Sequence, residues 1–558
     1  MNNKYIIKKI VVVALPILLC SCLLSIKCKK EEDSNNIDRR IHVLKFQTAA
    51  TQSIIWNVAD NMNQWDYSQW LNDMGNVPED YFRQNMPYVK YIQLMTVAGG
   101  NRQRDLFKDP LDRTVMDDYD FSPLIGACKN ILRQGLTPHL KLGNVPLKYS
   151  ANPKIGVFGV NKCPPDDYHL WHTYIKALIQ SLTKEFGLET VCNWRFGVVT
   201  EYENNDWFSV DNDPVRTRDA YIMLYDYTVD ALEQVLGNNI CVGAHSMTVT
   251  EGLWDERELI VHCARGKNLC TGKTGTRLSF LSASYYDDRP GVMGNRKSLS
   301  ETISFLRDMA EKEGFNNLFY GIDEGRMLTG LDKKDLYPRA AGYSWQAAYD
   351  ARMYHTMLDE NIDYFSHWAY TTSYILPGAL SVSAHTSNLF HRMAGSVRLA
   401  DISEASDTEE KIAGIAALNK EQNKLYALFY AYSDKPLQSG QAEISCDIAG
   451  LEKKSGKVSS IRTLISDDSN FFDEYLADRE KAGITQSDYG WSSDSFVLSS
   501  QELPNPSHLQ IFKDRIPYYI TCSTLKPVSE SLNIKEGILN IRTSIPVHGV
   551  ALYEIALD

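Results

Sequence analysis

The chain lacks the features that would tie it to nucleic acid, to a bilayer span or to a disulfide scaffold. Its 58 Lys and Arg are outnumbered by 70 Asp and Glu, a net charge of −12. The basic face that a phosphate backbone requires is therefore missing, and no nucleic-acid partner is expected. The apolar run at 10–19, IVVVALPILL, is too short for a membrane helix, which needs roughly twenty residues. Cysteines number 11. Cys20, Cys22 and Cys28 stand in the first segment, and Cys128, Cys163, Cys192, Cys241, Cys263, Cys270, Cys446 and Cys522 are scattered, which is not a disulfide framework. Cys263 and Cys270 are close enough in sequence to bridge, or to stay as buried thiols. No HExxH or paired CxxC spacing offers a zinc site, and Asp117-Asp118-Tyr119-Asp120 lacks the Gly and closing Glu of a calcium loop. Gly266 and Gly272 are separated by five residues where a phosphate loop has four. No repeat of the solenoid or propeller kind is present. Neither metal nor organic cofactor is expected.

What is present is an ordinary globular composition, 44% hydrophobic and 23% charged over 558 residues, enough for two to four domains. Residues 1–9 carry three lysines and no acid, and they precede the 10–19 run as in an exported leader. Leu19-Cys20-Ser21-Cys22 then resembles the lipobox of bacterial lipoproteins, with Cys22 as the lipidated residue; an ordinary cleaved signal is the alternative. The charged stretch 23–40 cannot bury area and is expected to be a tether. The reading is a lipid-anchored protein on the cell envelope.

From 41 to 395, β-branched or aromatic runs alternate with amphipathic stretches, the pattern of βα units. Eight runs start at His42, Tyr88, Thr137, Asn193, Asn239, Leu278, Asn316 and Ile362. Between them lie helical patterns from Tyr168, Arg218 and Ser298. Eight strands with crossovers predict a (β/α)8 barrel, an open doubly wound sheet being the rival. After 396, short alternating runs separated by turn residues predict an antiparallel β-sandwich over 396–558, including LQIFK from Leu509 and YYITCSTL from Tyr518. It shows no row of aromatics that would form a glycan platform, so it is expected to brace the barrel.

A barrel of this kind keeps its active site at the C-terminal strand ends. Glu201 follows the fourth run, in Val199-Thr200-Glu201-Tyr202-Glu203-Asn204, and Glu324 follows the seventh, in Gly321-Ile322-Asp323-Glu324-Gly325-Arg326. Two carboxylates facing each other across the mouth suit retaining glycoside hydrolysis, one as acid/base and the other as nucleophile, about 5–5.5 Å apart; inverting hydrolysis needs about 6.5–9.5 Å. Like charge from Glu203 would raise the pKa of Glu201, and Arg326 would keep Glu324 ionised. Trp171, Trp207, Trp345, Trp368 and Tyr370 are candidates to stack on sugar rings, with Trp368 and Tyr370 best placed. Arg102, Asn144 and His245, after the second, third and fifth runs, are candidate contacts to sugar hydroxyls.

The stretch from Glu185-Phe186-Gly187 through Asn193-Trp194-Arg195-Phe196-Gly197-Val198-Val199-Thr200-Glu201 resembles the segment leading to the acid/base glutamate in glycoside hydrolase family 39, which contains β-xylosidases and α-L-iduronidases. Val242-Gly243-Ala244 resembles that family's Val-Gly-Gly turn, and Phe280 to Tyr286 its sixth strand. The resemblance implies Glu201 as acid/base, Glu324 as nucleophile and Tyr286 as the residue that orients it. Two departures bear on the substrate. Thr200 stands where the family has an Asn that binds the sugar 2-hydroxyl, and Ser284-Tyr285 stand where it commonly has histidines. With the acidic net charge, a neutral sugar such as a β-xyloside is expected rather than an iduronide. The alternative function is a non-catalytic surface glycan-binding lipoprotein on the same barrel.

Overall fold

The computed structural model describes residues 41–558 apart from 73–76, 248, 250–251, 288–296, 328–342, 368–375, 405–410, 436, 489–502 and 504. The leader, Cys22 and the tether thus lie outside the described residues. No helix among the described residues is long and apolar enough to cross a membrane.

The first strand, β1 (Ile41–Ile54), corrects one expectation, because the run from His42 is not a strand of the parallel barrel. Over its first six residues exposed and buried positions alternate, with Leu44 and Phe46 inward. That is the signature of a sheet with one wet face, whereas a parallel barrel strand is covered on both sides. The barrel begins instead at β2 (Asn61–Gln64), buried at every position. It continues through β3 (Tyr91–Leu94), β4 (Thr137–Leu142), β5 (Arg195–Val198), β6 (Cys241–Ser246), β7 (Phe280–Asp287), β8 (Phe319–Met327) and β9 (Tyr364–His367). These eight strands are parallel and close in sequence order, β9 pairing back to β2. The other seven runs fall on β3 to β9 as expected.

Amphipathic helices cover the barrel. The helix at Tyr168–Phe186 is capped by Asp167 and buries Trp171, Tyr174, Ile175, Leu178, Ile179 and Leu182 at spacings of three and four. Leu299–Lys312 starts with a reciprocal capping box between Ser298 and Glu301. Inside the barrel the lining is unusually polar: Asn61, Asn63, Gln93, His139, Lys141, His245, Ser282 and Asp323 are all buried.

Glycine makes room at two crowded points. At Gly197 an added Cβ would lie 2.5 Å from Lys141 Cδ, so the missing side chain is what lets Lys141 cross the barrel. At Gly321 it would overlap the Tyr364 ring. Gly321→Ala is therefore expected to cost about 1–3 kcal/mol, seen as a lower urea midpoint; an unchanged midpoint would show that Tyr364 can move.

The second module is also closed, with nine strands in the order β1-β10-β11-β12-β17-β14-β15-β16-β13. Its remaining strands are β10 (Val397–Asp401), β11 (Lys411–Asn419), β12 (Lys424–Tyr432), β13 (Gln441–Ala449), β14 (Ser455–Ile465), β15 (Val528–Lys535), β16 (Ile538–Pro546) and β17 (Val550–Ala556). All neighbours are antiparallel except β1 with β13. Two runs expected to be strands are helices, Pro506–Asp514 and Ile516–Ser523. Each has proline in its first turn, and their buried positions, Leu509 with Phe512 and Tyr519 with Ser523, recur at three and four residues, a helical period. The two modules share one apolar cluster, in which Tyr426, Leu428 and Tyr430 of β12 join barrel residues such as Tyr354 and Met357.

Candidate active site

The fourth barrel strand ends in a strained turn. Val199 and Glu201 both have positive φ, 60° and 45°, on either side of Thr200. A β-branched residue in the left-handed region is costly and persists only where its surroundings impose it. Here Thr200 Oγ1 donates to the Met95 carbonyl at 3.3 Å, and the Tyr202 amide to the His245 carbonyl at 3.0 Å. The turn delivers the Glu201 carboxylate into the mouth of the barrel at 6% exposure.

Glu201 is held by three groups. Ser284 Oγ donates to Oε1 at 2.6 Å and Asn204 Nδ2 to Oε2 at 2.7 Å, while its own amide donates to His245 Nδ1 at 3.4 Å. His245 Nε2 lies 2.9 Å from Ser284 Oγ, which closes a ring of hydrogen bonds between β5, β6 and β7. Burial pushes the Glu201 carboxyl above the usual range, against the donors Ser284, Asn204 and Trp207 and the charge of Lys141. Glu203, expected to do this by repulsion, turns away and accepts from Ser246 Oγ and the Met247 amide.

Glu324 arrives from the opposite wall. The pairing of β7 with β8 slips by one residue, Ala283 facing Ile322 and Ser284 facing Glu324, so Asp323 is an extra residue in the ladder. Such a bulge re-aims the side chains on either side of it. Asp323 drops into the barrel, fully buried and paired with Lys141, and it accepts from Tyr364 Oη. Burial alone would raise Asp323, but Lys141, with His139 and His245, holds it below the carboxylate range. Glu324 is half-buried, and Tyr286 Oη donates to its Oε1 at 2.6 Å. One oxygen of Glu201, one of Glu324 and a ring nitrogen of His245 lie within 4.8 Å of one another.

The other sequence candidates are distributed differently. Asn144 is buried and donates through Nδ2 to the Trp207 carbonyl at 2.7 Å. His245 is fully buried, and burial holds its ring well below the ordinary histidine range, so it is neutral. Arg102 is exposed in the loop after β3. Trp171 is a core residue whose indole donates to Thr228 Oγ1 at 2.9 Å, and Trp345 is also buried. Trp207 stacks on Phe158 at 4.5 Å and lies 5.4 Å from Trp65. Trp368 and Tyr370, and the side chain of Arg326, lie outside the described residues. Trp65, Lys141, Asn204, Ser284 and Asp323 are among the residues around the site that the sequence did not put forward as candidates. Trp65 follows β2, a strand without any β-branched residue to advertise it, and Ser284 stood only as a departure from a family pattern.

Metal-ligand geometry occurs twice among the described residues. One group is Glu201, His245 and Glu324 itself. The other, His172, Asp230 and Cys270, sits outside the barrel and is satisfied internally: His172 Nε2 lies 2.8 Å from Asp230 Oδ2, which also accepts from Gln234 Nε2 at 2.7 Å. The eight cysteines of the described residues are free, Cys263 and Cys270 included.

This geometry can be set beside known proteins. Two β-xylosidases match part of the chain: that of Geobacillus stearothermophilus is 25% identical over 141 residues, and that of Caldicellulosiruptor saccharolyticus 26% over 157. These matches span 24% and 28% of this chain, and only 27% and 29% of the relatives' own length. Among solved structures, a GH39 enzyme from Xanthomonas axonopodis pv. citri superposes with a TM-score of 0.64 at 14% identity, covering 94% of this chain and 99% of that one. A monomeric β-xylosidase from Caulobacter crescentus CB15 gives 0.62 at 14% identity, covering 92% and 99%. Both likenesses are of fold. The model of the glycosyl hydrolases family 39 matches residues 105–402, a span that runs from the loop after β3 into β10 and holds Glu201, Tyr286 and Glu324. More than half of the 558 residues lie within it, and on that match the chain belongs to glycosyl hydrolase family 39.

Proposed function

We propose that this protein is a retaining glycoside hydrolase that cleaves a neutral glycoside, a β-xyloside or a close analogue. Glu324 attacks the anomeric carbon while Glu201 gives its proton to the departing oxygen. Glu201, now ionised, then takes a proton from the water that hydrolyses the glycosyl-enzyme. The observation that carries this reading is the spacing of the two carboxylates, whose nearest oxygens lie within 4.8 Å. A separation this short supports the closer pairing of retention over the wider one that inversion demands. The two environments also suit the two roles. Burial raises the Glu201 carboxyl, which suits a proton donor, and the Tyr286 hydroxyl donates to Glu324, which suits an oriented nucleophile.

A neutral sugar is supported by charge. Among the described residues, the cation that acts on Glu201 is Lys141, and it is already paired with Asp323 rather than free to meet a uronate. The partial relatives, both β-xylosidases, point the same way. Proton NMR of an aryl β-xyloside digest tests the proposal: the β-anomer of xylose appears first and mutarotates later. First release of the α-anomer would overturn retention.

We also read the chain as exported and anchored through Cys22, on its leader and the Leu19-Cys20-Ser21-Cys22 motif. Cys22→Ala then shifts the protein from the membrane pellet to the soluble fraction. An unchanged distribution would leave only an ordinary signal.

A further inference from the structure

Resting on the hydrolase reading, we infer that His245, acting through Ser284, decides which oxygen of Glu201 carries the transferable proton. The ring of hydrogen bonds has a single direction. The Glu201 amide can only donate, so His245 Nδ1 must be an acceptor and the ring proton sits on Nε2. Nε2–H then donates to Ser284 Oγ. With a lone pair occupied from that side, the hydroxyl proton points onward to Glu201 Oε1. A proton on Oε1 would meet that hydroxyl proton head on. Oε2 faces Asn204 Nδ2, whose donation a protonated oxygen still accepts through its remaining lone pair. The acid therefore carries its proton on Oε2, and when it ionises both oxygens already have donors.

His245 and Ser284 are thus positioning residues, acting on the acid/base rather than on the sugar. The arrangement also accounts for the site's tolerance of serine in β7. The imidazole is supplied from β6, and the serine hydroxyl spans the gap between it and the carboxylate. The charged and titratable groups around Glu201 are Lys141 and His139 from β4, His245 from β6, and Asp323 and Glu324 from β8, with Glu203 on its own loop turned away. His245 is buried among them and stays neutral, so the ring keeps its direction through the working pH range.

The test uses the whole chain and aryl glycosides of graded leaving-group pKa. Ser284→Ala removes a donor that favours ionised Glu201, so the basic limb of kcat/KM should move up by about one pH unit. Turnover of poor leaving groups should fall about ten-fold or more, while dinitrophenyl glycosides, which need no acid for the first step, should change little in kcat/KM. Ser284→Thr, which keeps the hydroxyl, should restore both readouts, and His245→Leu should reproduce Ser284→Ala. A uniform loss on all leaving groups with an unmoved pH limb would reduce the pair to structural support and overturn the inference. A readout without substrate covers variants that do not fold: nitrogen-15 shifts of the His245 ring in the wild-type protein should report a neutral Nε2–H tautomer from pH 5 to 8. An imidazolium, or the Nδ1–H form, refutes the relay even if the enzyme is a hydrolase. A wild-type protein that cleaves no glycoside sinks the hydrolase reading, and the tautomer still decides the ring.

Discussion

Glu324→Ala should lower turnover by on the order of 10⁴- to 10⁶-fold, the range for loss of a covalent nucleophile. Far-UV circular dichroism should remain that of the wild type, since Glu324 is half-buried and is joined to Tyr286 by its own carboxylate rather than by backbone. Glu201→Ala should cost less on natural leaving groups, about 10²- to 10⁴-fold, because only proton transfer is lost. Azide separates the two roles by stereochemistry. In Glu324→Ala, azide occupies the space of the missing carboxylate and attacks the anomeric carbon once, giving the inverted glycosyl azide. In Glu201→Ala the glycosyl-enzyme still forms, and azide opens it from the other face, giving the retained product. If either variant keeps wild-type turnover, or if the two azide products are exchanged, the assignment of roles fails.

The second large effect concerns stability. Lys141→Met should destabilise the protein by about 3–5 kcal/mol, because it strands the Asp323 carboxylate in the barrel interior. Asp323 is fully buried and held on both sides: Tyr364 Oη is bonded to its carboxylate, while Asn63 and Gln93 donate to its carbonyl at 3.2 and 2.8 Å. Lys141→Met with Asp323→Asn should recover a large share of the loss, since no net charge is then left buried. Urea unfolding of the two single variants and the double variant forms a thermodynamic cycle. A single-variant loss under about 1 kcal/mol would mean that water reaches the pair.

Glu201 and Glu324 could be placed at the barrel mouth because a parallel barrel sends its chemistry to strand ends, and the fourth and seventh ends were visible as apolar and aromatic runs stopping at acids. The first strand was misplaced because Asn61-Met62-Asn63-Gln64 has a barrel's burial without a barrel strand's composition. Its amides face other polar groups, Asn61 Nδ2 lying 3.4 Å from His139 Nδ1, and propensity does not register burial of that kind. The run at His42 had the right composition and the wrong partners, since alternation reports one covered face without saying which sheet covers it. His245 was noticed as a possible sugar contact, yet its neighbours are a backbone amide 44 positions away and a serine 39 away. Such pairings depend on strand order and register. The bulge at Asp323 was equally hidden, because a one-residue slip leaves no trace in a single strand's pattern.

The position of β1 has a consequence for how the molecule is made. Ile41 pairs with Glu443, and Phe46 with Asp401, so the first strand of the described residues waits for partners that leave the ribosome hundreds of residues later. The whole parallel barrel is threaded between β1 and β10 and must assemble while β1, with its inward Leu44 and Phe46, has nothing to cover it. Closure of the second module is thus a late event that reports a finished first one. A chain cut after the parallel barrel would keep β1 as an orphan edge, a template for pairing with another copy. Cut before β10, the remainder would be an eight-stranded sheet with a slot where β1 belongs, the geometry that a separately added peptide of that strand fills by strand addition.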